Sequence, residues 1–224
     1  MNRIIRLAPL KIQAFFFLFL FFPFALFAQQ IQLHTADAGQ EDAVSTGAPD
    51  TAGKNSYLNA KSEWGLLVGY GASHPGWGLT RTRVETIDSV YRYGRFLSEE
   101  TGKSWYRGRP ELLIEVPFSS VQNPQNSQMV GFNLLVSRNF TNSQKIVPYV
   151  FAGAGLVYTN LDIYDLGSEL NGTYQAGTGL RFFISDRISL DLNCRFHHLS
   201  NGNTAKPNIP LNSTKFFLGI SFYR

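Results

Sequence analysis

Residues 188–200 read Ile188-Ser189-Leu190-Asp191-Leu192-Asn193-Cys194-Arg195-Phe196-His197-His198-Leu199-Ser200. Ile188, Leu190, Leu192, Cys194 and Phe196 fall on one parity. Ser189, Asp191, Asn193, Arg195 and His197 fall on the other. A period of two over this length is a β-strand with one apolar and one polar face. The polar face carries charges in mid-strand, where a soluble sandwich would place them in water. A small transmembrane barrel does the reverse. Its apolar face meets lipid and its polar face lines the interior.

The same alternation recurs through the chain from Glu63 onward. Trp64, Leu66, Val68, Tyr70 and Ala72 face one way, with Gly65, Gly69 and Gly71 on the other parity. Val130, Phe132, Leu134 and Val136 alternate with Gly131, Asn133 and Ser137. Tyr174, Ala176, Leu180 and Phe182 alternate with Thr173, Gln175 and Arg181. Phe216, Leu218, Ile220 and Phe222 close the series. Eight strands are predicted, at 63–73, 86–97, 108–118, 128–139, 146–158, 170–184, 187–200 and 212–223. The number is even and the lengths suit a tilted span. The predicted fold is an all-β, eight-stranded antiparallel up-and-down transmembrane β-barrel over 63–224. A soluble lipocalin-like barrel is the competing architecture, and the mid-strand charges argue against it.

Loop lengths orient such a barrel, because turns at the periplasmic end are short and outer loops long. Residues 140–145 and 185–187 predict the short turns. The stretches 74–85, 119–127, 159–169 and 201–211 predict outer loops. The connection 98–107 is long for its end and has no explanation in this pattern.

Ahead of the barrel, Arg3, Arg6 and Lys11 precede an apolar run from Phe15 to Phe22, then Ala25-Leu26-Phe27-Ala28. This is the order of a secretory signal peptide over 1–28. Residues 29–62 are polar and without periodicity, and predict a flexible periplasmic leader. Hydrophobic residues make up 44% of the 224 and charged residues 16%, which excludes wholesale disorder. The net charge is +4, three units of it within a 28-residue segment that holds no acid, so a nucleic-acid binder is not indicated. The single cysteine, Cys194, excludes an internal disulfide, and no metal-ligand spacing is present.

The alternation places His198 and Ser200 on the outward face, near the end of the seventh strand. A histidine and a serine there serve no packing purpose. They suit a base and a nucleophile acting on an ester that lies in the membrane. Asn212 shares the outward parity of the eighth strand and falls beside His198 across the last hairpin.

This stretch resembles the outer-membrane lipid A 3-O-deacylases, a family related to the acyloxyacyl hydrolases. Its members carry His-x-Ser-Asn near the C-terminus of an eight-stranded barrel, followed by a Pro-Asn pair. His198, Ser200, Asn201, Pro207 and Asn208 match. The resemblance implies an outer-membrane serine esterase that removes an ester-linked acyl chain from lipid A in lipopolysaccharide, with no cofactor. Ser200 would be the nucleophile and His198 the base. Asn201 and Asn208 would hold the oxyanion. Arg81 and Arg83, in the first outer loop, would meet lipid A phosphates. The family's usual third triad member is a glutamate, and here that place falls to Asn212. Glu169 is an alternative partner for the histidine, whereas Glu115 and Asp191 have interior parity. The rival expectation is a non-enzymatic outer-membrane barrel with a structural or binding role.

Overall fold

The computed structural model describes residues 56–143 and 145–224. The expected signal peptide and most of the expected leader lie outside the described residues. Eight strands follow one another: β1 (Ser62–Ser73), β2 (Glu85–Phe96), β3 (Gly108–Asn123), β4 (Ser127–Phe140), β5 (Ile146–Thr159), β6 (Leu170–Ser185), β7 (Ile188–Ser200) and β8 (Leu211–Tyr223). Each pairs antiparallel with the next, and β1 pairs with β8, so the sheet closes on itself. Closure removes every unpaired sheet edge.

The alternation read from the sequence fixes which side chains go in. Trp64, Leu66, Val68, Phe132, Leu134, Leu192, Phe216 and Leu218 are exposed on the outside. Glu63, Arg92, Glu111, Glu115, Arg181 and Asp191 are fully buried inside. Eight strands enclose just enough width for side chains, so the interior is packed. Buried charges need partners, and these have them. Glu115 receives Arg92 Nε at 2.9 Å and Arg195 Nη1 at 2.7 Å. Arg181 meets Glu63 at 2.8 Å and Glu111 at 3.2 Å. Asp191 accepts from Tyr149 Oη at 2.7 Å. Room for Tyr149 comes from Gly179, where a Cβ would stand 2.4 Å from the ring.

Apolar residues fill both ends. At the end where the chain enters, Tyr57, Ala60, Phe96, Val147 and Tyr223 form a cluster. At the other end, Val84, Val121, Met129, Val157, Leu161, Leu166, Leu199 and Leu211 do the same.

Three places depart from the sequence expectation. Residues 56–62, expected as leader, form the helical turn α1 (Ser56–Asn59) and the first residue of β1. Tyr57 and Ala60 are buried, and Arg109 donates to both their carbonyls at 2.7 Å. An apolar pair beside an arginine was too short to read as periodicity. The expected loop at 119–127 shrinks to 124–126, because β3 runs on to Asn123. Ser119 and Val121 point inward and keep the ladder with Met129 and Ser127. Pro117, which has no N–H to donate, disguised that continuation. The long connection after β2 is itself folded. A 3-10 turn at Ser104–Tyr106 and a bridge from Thr101 to Gly108 shape it. Arg138 holds it down by donating to Thr101 O at 2.9 Å and Tyr106 O at 2.8 Å.

Candidate active site

The register of the last hairpin builds the site. His198 on β7 stands directly opposite Asn212 on β8 and directly opposite Tyr174 on β6. All three side chains leave the outward face. Asn212 Oδ1 lies 2.7 Å from His198 Nδ1, and His198 Nε2 lies 3.0 Å from Ser200 Oγ. Both ring nitrogens of one imidazole are thus engaged in line, one by an amide oxygen and one by a hydroxyl. His198 and Asn212 are buried although they face outward. Tyr174 covers one side of the imidazole, stacked at 4.1 Å between ring centroids.

The arrangement has the parts of a nucleophilic triad. With the Asn212 oxygen accepting, the ring proton sits on Nδ1. Nε2 then carries the lone pair that can accept the Ser200 proton. On the β6 side Ser200 pairs with Gly172, which has no side chain, so that flank of the hydroxyl stays open.

Past Ser200 the chain makes a type I′ turn. Gly202 and Asn203 have φ of 63° and 68°, and Thr204 N donates to Asn201 O at 3.1 Å. Asn201 ties this turn together. Its Nδ2 donates to Ala205 O at 3.2 Å and Pro207 O at 3.3 Å, and its backbone N donates to Asn208 Oδ1 at 2.9 Å. Both asparagines therefore stand next to Ser200 in one small knot. The Asn201 amide hydrogens are spent on loop carbonyls, whereas the Asn208 amide makes no hydrogen bond through its nitrogen among the described residues.

The other candidates scatter. Arg81 is exposed, one residue after Thr80, whose hydroxyl accepts the Asn212 backbone N–H at 2.9 Å. Arg83 pairs with Glu85 at 2.6 Å. Glu169 accepts from Tyr158 Oη at 2.8 Å rather than from His198. Glu115 and Asp191 lie in the interior network. His197 faces inward to Thr173 Oγ1 at 2.9 Å.

Two contributors had little signal in the sequence. Tyr174 was legible as an outward aromatic but not as the partner of His198, because cross-strand register depends on loop length. Asp165, in the loop after β5, is buried and accepts the Thr82 backbone N–H at 3.1 Å, while its carbonyl accepts from Ile209 N at 3.0 Å. It joins three outer loops, and a single acid in a loop gives no such hint.

The model of the family described as lipid A 3-O-deacylase (PagL) matches residues 90–221, more than half of the chain. No curated protein matches in sequence. Among solved structures, Neisserial surface protein A has a TM-score of 0.54 at 11% identity, over 73% of this chain and 97% of that one. That likeness bears on the fold alone. The outer membrane enzyme PagL has a TM-score of 0.48 at 19% identity, over 71% of this chain and 98% of that one. The N-terminal β-barrel domain of OprF from Pseudomonas aeruginosa has a TM-score of 0.45 at 13% identity, over 74% and 99%.

Proposed function

The chain belongs to the lipid A 3-O-deacylase (PagL) family, and from that premise we propose that it is an outer-membrane serine esterase removing an ester-linked acyl chain from lipid A. The observation that carries this reading is the Asn212–His198–Ser200 line, at 2.7 Å and 3.0 Å, on the outward face of the barrel. A site that opens sideways receives a substrate held in the outer leaflet without a deep aqueous pocket.

In this mechanism Ser200 Oγ attacks the acyl carbonyl while His198 Nε2 takes its proton. The tetrahedral intermediate collapses, and the imidazolium returns the proton to the departing sugar hydroxyl. Water then attacks the acyl-enzyme carbonyl while His198 takes its proton, and the imidazolium returns that proton to Ser200 Oγ as the fatty acid leaves. The developing oxyanion needs donors. The Asn208 amide is the one we assign, with Asn201 setting its position. Arg81, exposed beside the site loop, is the cation offered to a lipid A phosphate, while Arg83 already has Glu85. No step calls for a cofactor.

The test is mass spectrometry of lipid A after incubation with refolded protein in detergent. We expect loss of one hydroxy-acyl mass with the native chain and none with Ser200→Ala. Equal cleavage by both would overturn the mechanism. No cleavage by the native chain, on lipid A carrying the ester, would favour a barrel whose role is structural or in binding.

A further inference from the structure

A neutral third member raises a problem that the geometry answers. An asparagine can offer a neighbouring imidazole either its oxygen or its NH2. With NH2 toward Nδ1, that nitrogen must accept, so the ring proton moves to Nε2. Nε2 then faces Ser200 with a proton and cannot take another. In serine proteases an Asp-to-Asn change at this place lowers turnover by about 10⁴, through this wrong tautomer.

Here the first outer loop, residues 74–84, holds Asn212 on three sides. Asn212 Nδ2 donates to Trp77 O at 2.9 Å. Its backbone N donates to Thr80 Oγ1 at 2.9 Å, and its carbonyl accepts from His74 N at 3.0 Å. The loop is stiffened by its own bonds. Trp77 N donates to His74 O at 3.0 Å, and Gly76 N donates to Thr80 O at 2.9 Å. Its side chains anchor it to the barrel. The Trp77 ring meets Phe196 at 5.1 Å, and His74 Nε2 lies 3.0 Å from Thr214 Oγ1. Gly78, at φ +62°, lets the loop pass close, because a Cβ there would stand 3.1 Å from Asn212 Nδ2.

We propose that the Trp77 carbonyl is the positioning group of this site: it selects the Asn212 amide orientation that keeps the His198 ring proton on Nδ1. This rests on the catalytic reading above. A carbonyl can only accept, so it draws the NH2 and turns Oδ1 to the histidine. The site is thereby fitted to an amide. A carboxylate in its place would set an anionic oxygen against the Trp77 oxygen, two acceptors with no hydrogen between them. The usual preference for an acid at the third position is inverted in this chain.

The test has two arms on the full chain refolded in detergent. Nitrogen-15 NMR of histidine-labelled protein, above the pH at which imidazoles are neutral, reads the His198 tautomer, assigned by comparison with His198→Gln. We expect the proton on Nδ1, and finding it on Nε2 overturns the proposal. In kinetics, Asn212→Asp should lose about 10-fold or more in kcat with KM within about two-fold. Activity equal to or above the native chain's overturns it. Should Asn212→Asp fail to refold, the native tautomer still decides. A native chain with its proton on Nδ1 that leaves lipid A intact overturns the catalytic reading and leaves the clamp standing.

Discussion

Tyr174 lies flat against His198, with ring centroids 4.1 Å apart and planes 14° from parallel. The pair is directly opposite across β6 and β7, so the imidazole is fixed between an aromatic face and the Asn212 amide. Stacking of this kind contributes about 0.5–1.5 kcal/mol beyond burial. Tyr174→Ala should free the ring to rotate and lower kcat by about 3- to 10-fold. Tyr174→Phe should retain activity, because the stacked face is what holds the ring. Steady-state deacylation by the two variants checks this, and equal losses in both would point to the hydroxyl instead.

Gly172 is the cross-strand neighbour of Ser200. A Cβ at Gly172 would have its nearest contact at 3.6 Å, with Ser200 O, which is ordinary packing distance. The barrel therefore tolerates a side chain there, while access to the hydroxyl does not. Gly172→Leu should fold and raise KM several-fold with a smaller change in kcat. An unchanged KM would mean that the acyl chain approaches from the β8 side.

Asp165 gives a prediction about loops rather than chemistry. Its carboxylate holds Thr82 N, and Leu166 bridges to Asn208 next door. Asp165→Ala leaves a partly buried backbone N–H without its acceptor, a cost of about 1 kcal/mol to the loop assembly. The strands do not depend on it. Limited trypsin digestion should cut the variant faster at Arg81 and Arg83, with the barrel's folded migration on gels preserved. Cleavage at native rates would show that the apolar cluster alone holds the loops.

The strands were legible because a barrel imposes one rule on every residue. Each of the eight falls within a few residues of its expected span, the largest departure being β3. There Pro117 broke the pattern while Ser119 and Val121 kept pairing. The placement of His198, Ser200 and Asn212 on one outward face followed from the same rule. What parity could not give was longitudinal register and loop path. Tyr174 flanks His198 only because the β6–β7 hairpin closes with a particular length. The Trp77 carbonyl is a backbone atom in an irregular loop, and no side-chain pattern encodes its position.

The interior network supplies the last prediction, which also separates stability from catalysis. Glu115 is fully buried between Arg92 and Arg195, the latter at 2.7 Å. Removing one member of a buried charged cluster costs about 3–5 kcal/mol, because the remaining charges lose their compensation. Arg92 retains Asp191 at 3.1 Å, and Arg195 retains Gln175 at 2.9 Å, which moderates the loss. Glu115→Gln keeps an acceptor for one guanidinium and should cost less than Glu115→Ala. Denaturant unfolding of the refolded barrel measures both. The Asn212–His198–Ser200 line faces away from this network, on the opposite side of the β7 backbone. Folded Glu115→Gln should therefore deacylate at a rate close to the native chain's. A folded variant that has lost activity would instead give the interior acid a part in the reaction, and Asn212 would no longer suffice as the partner of His198.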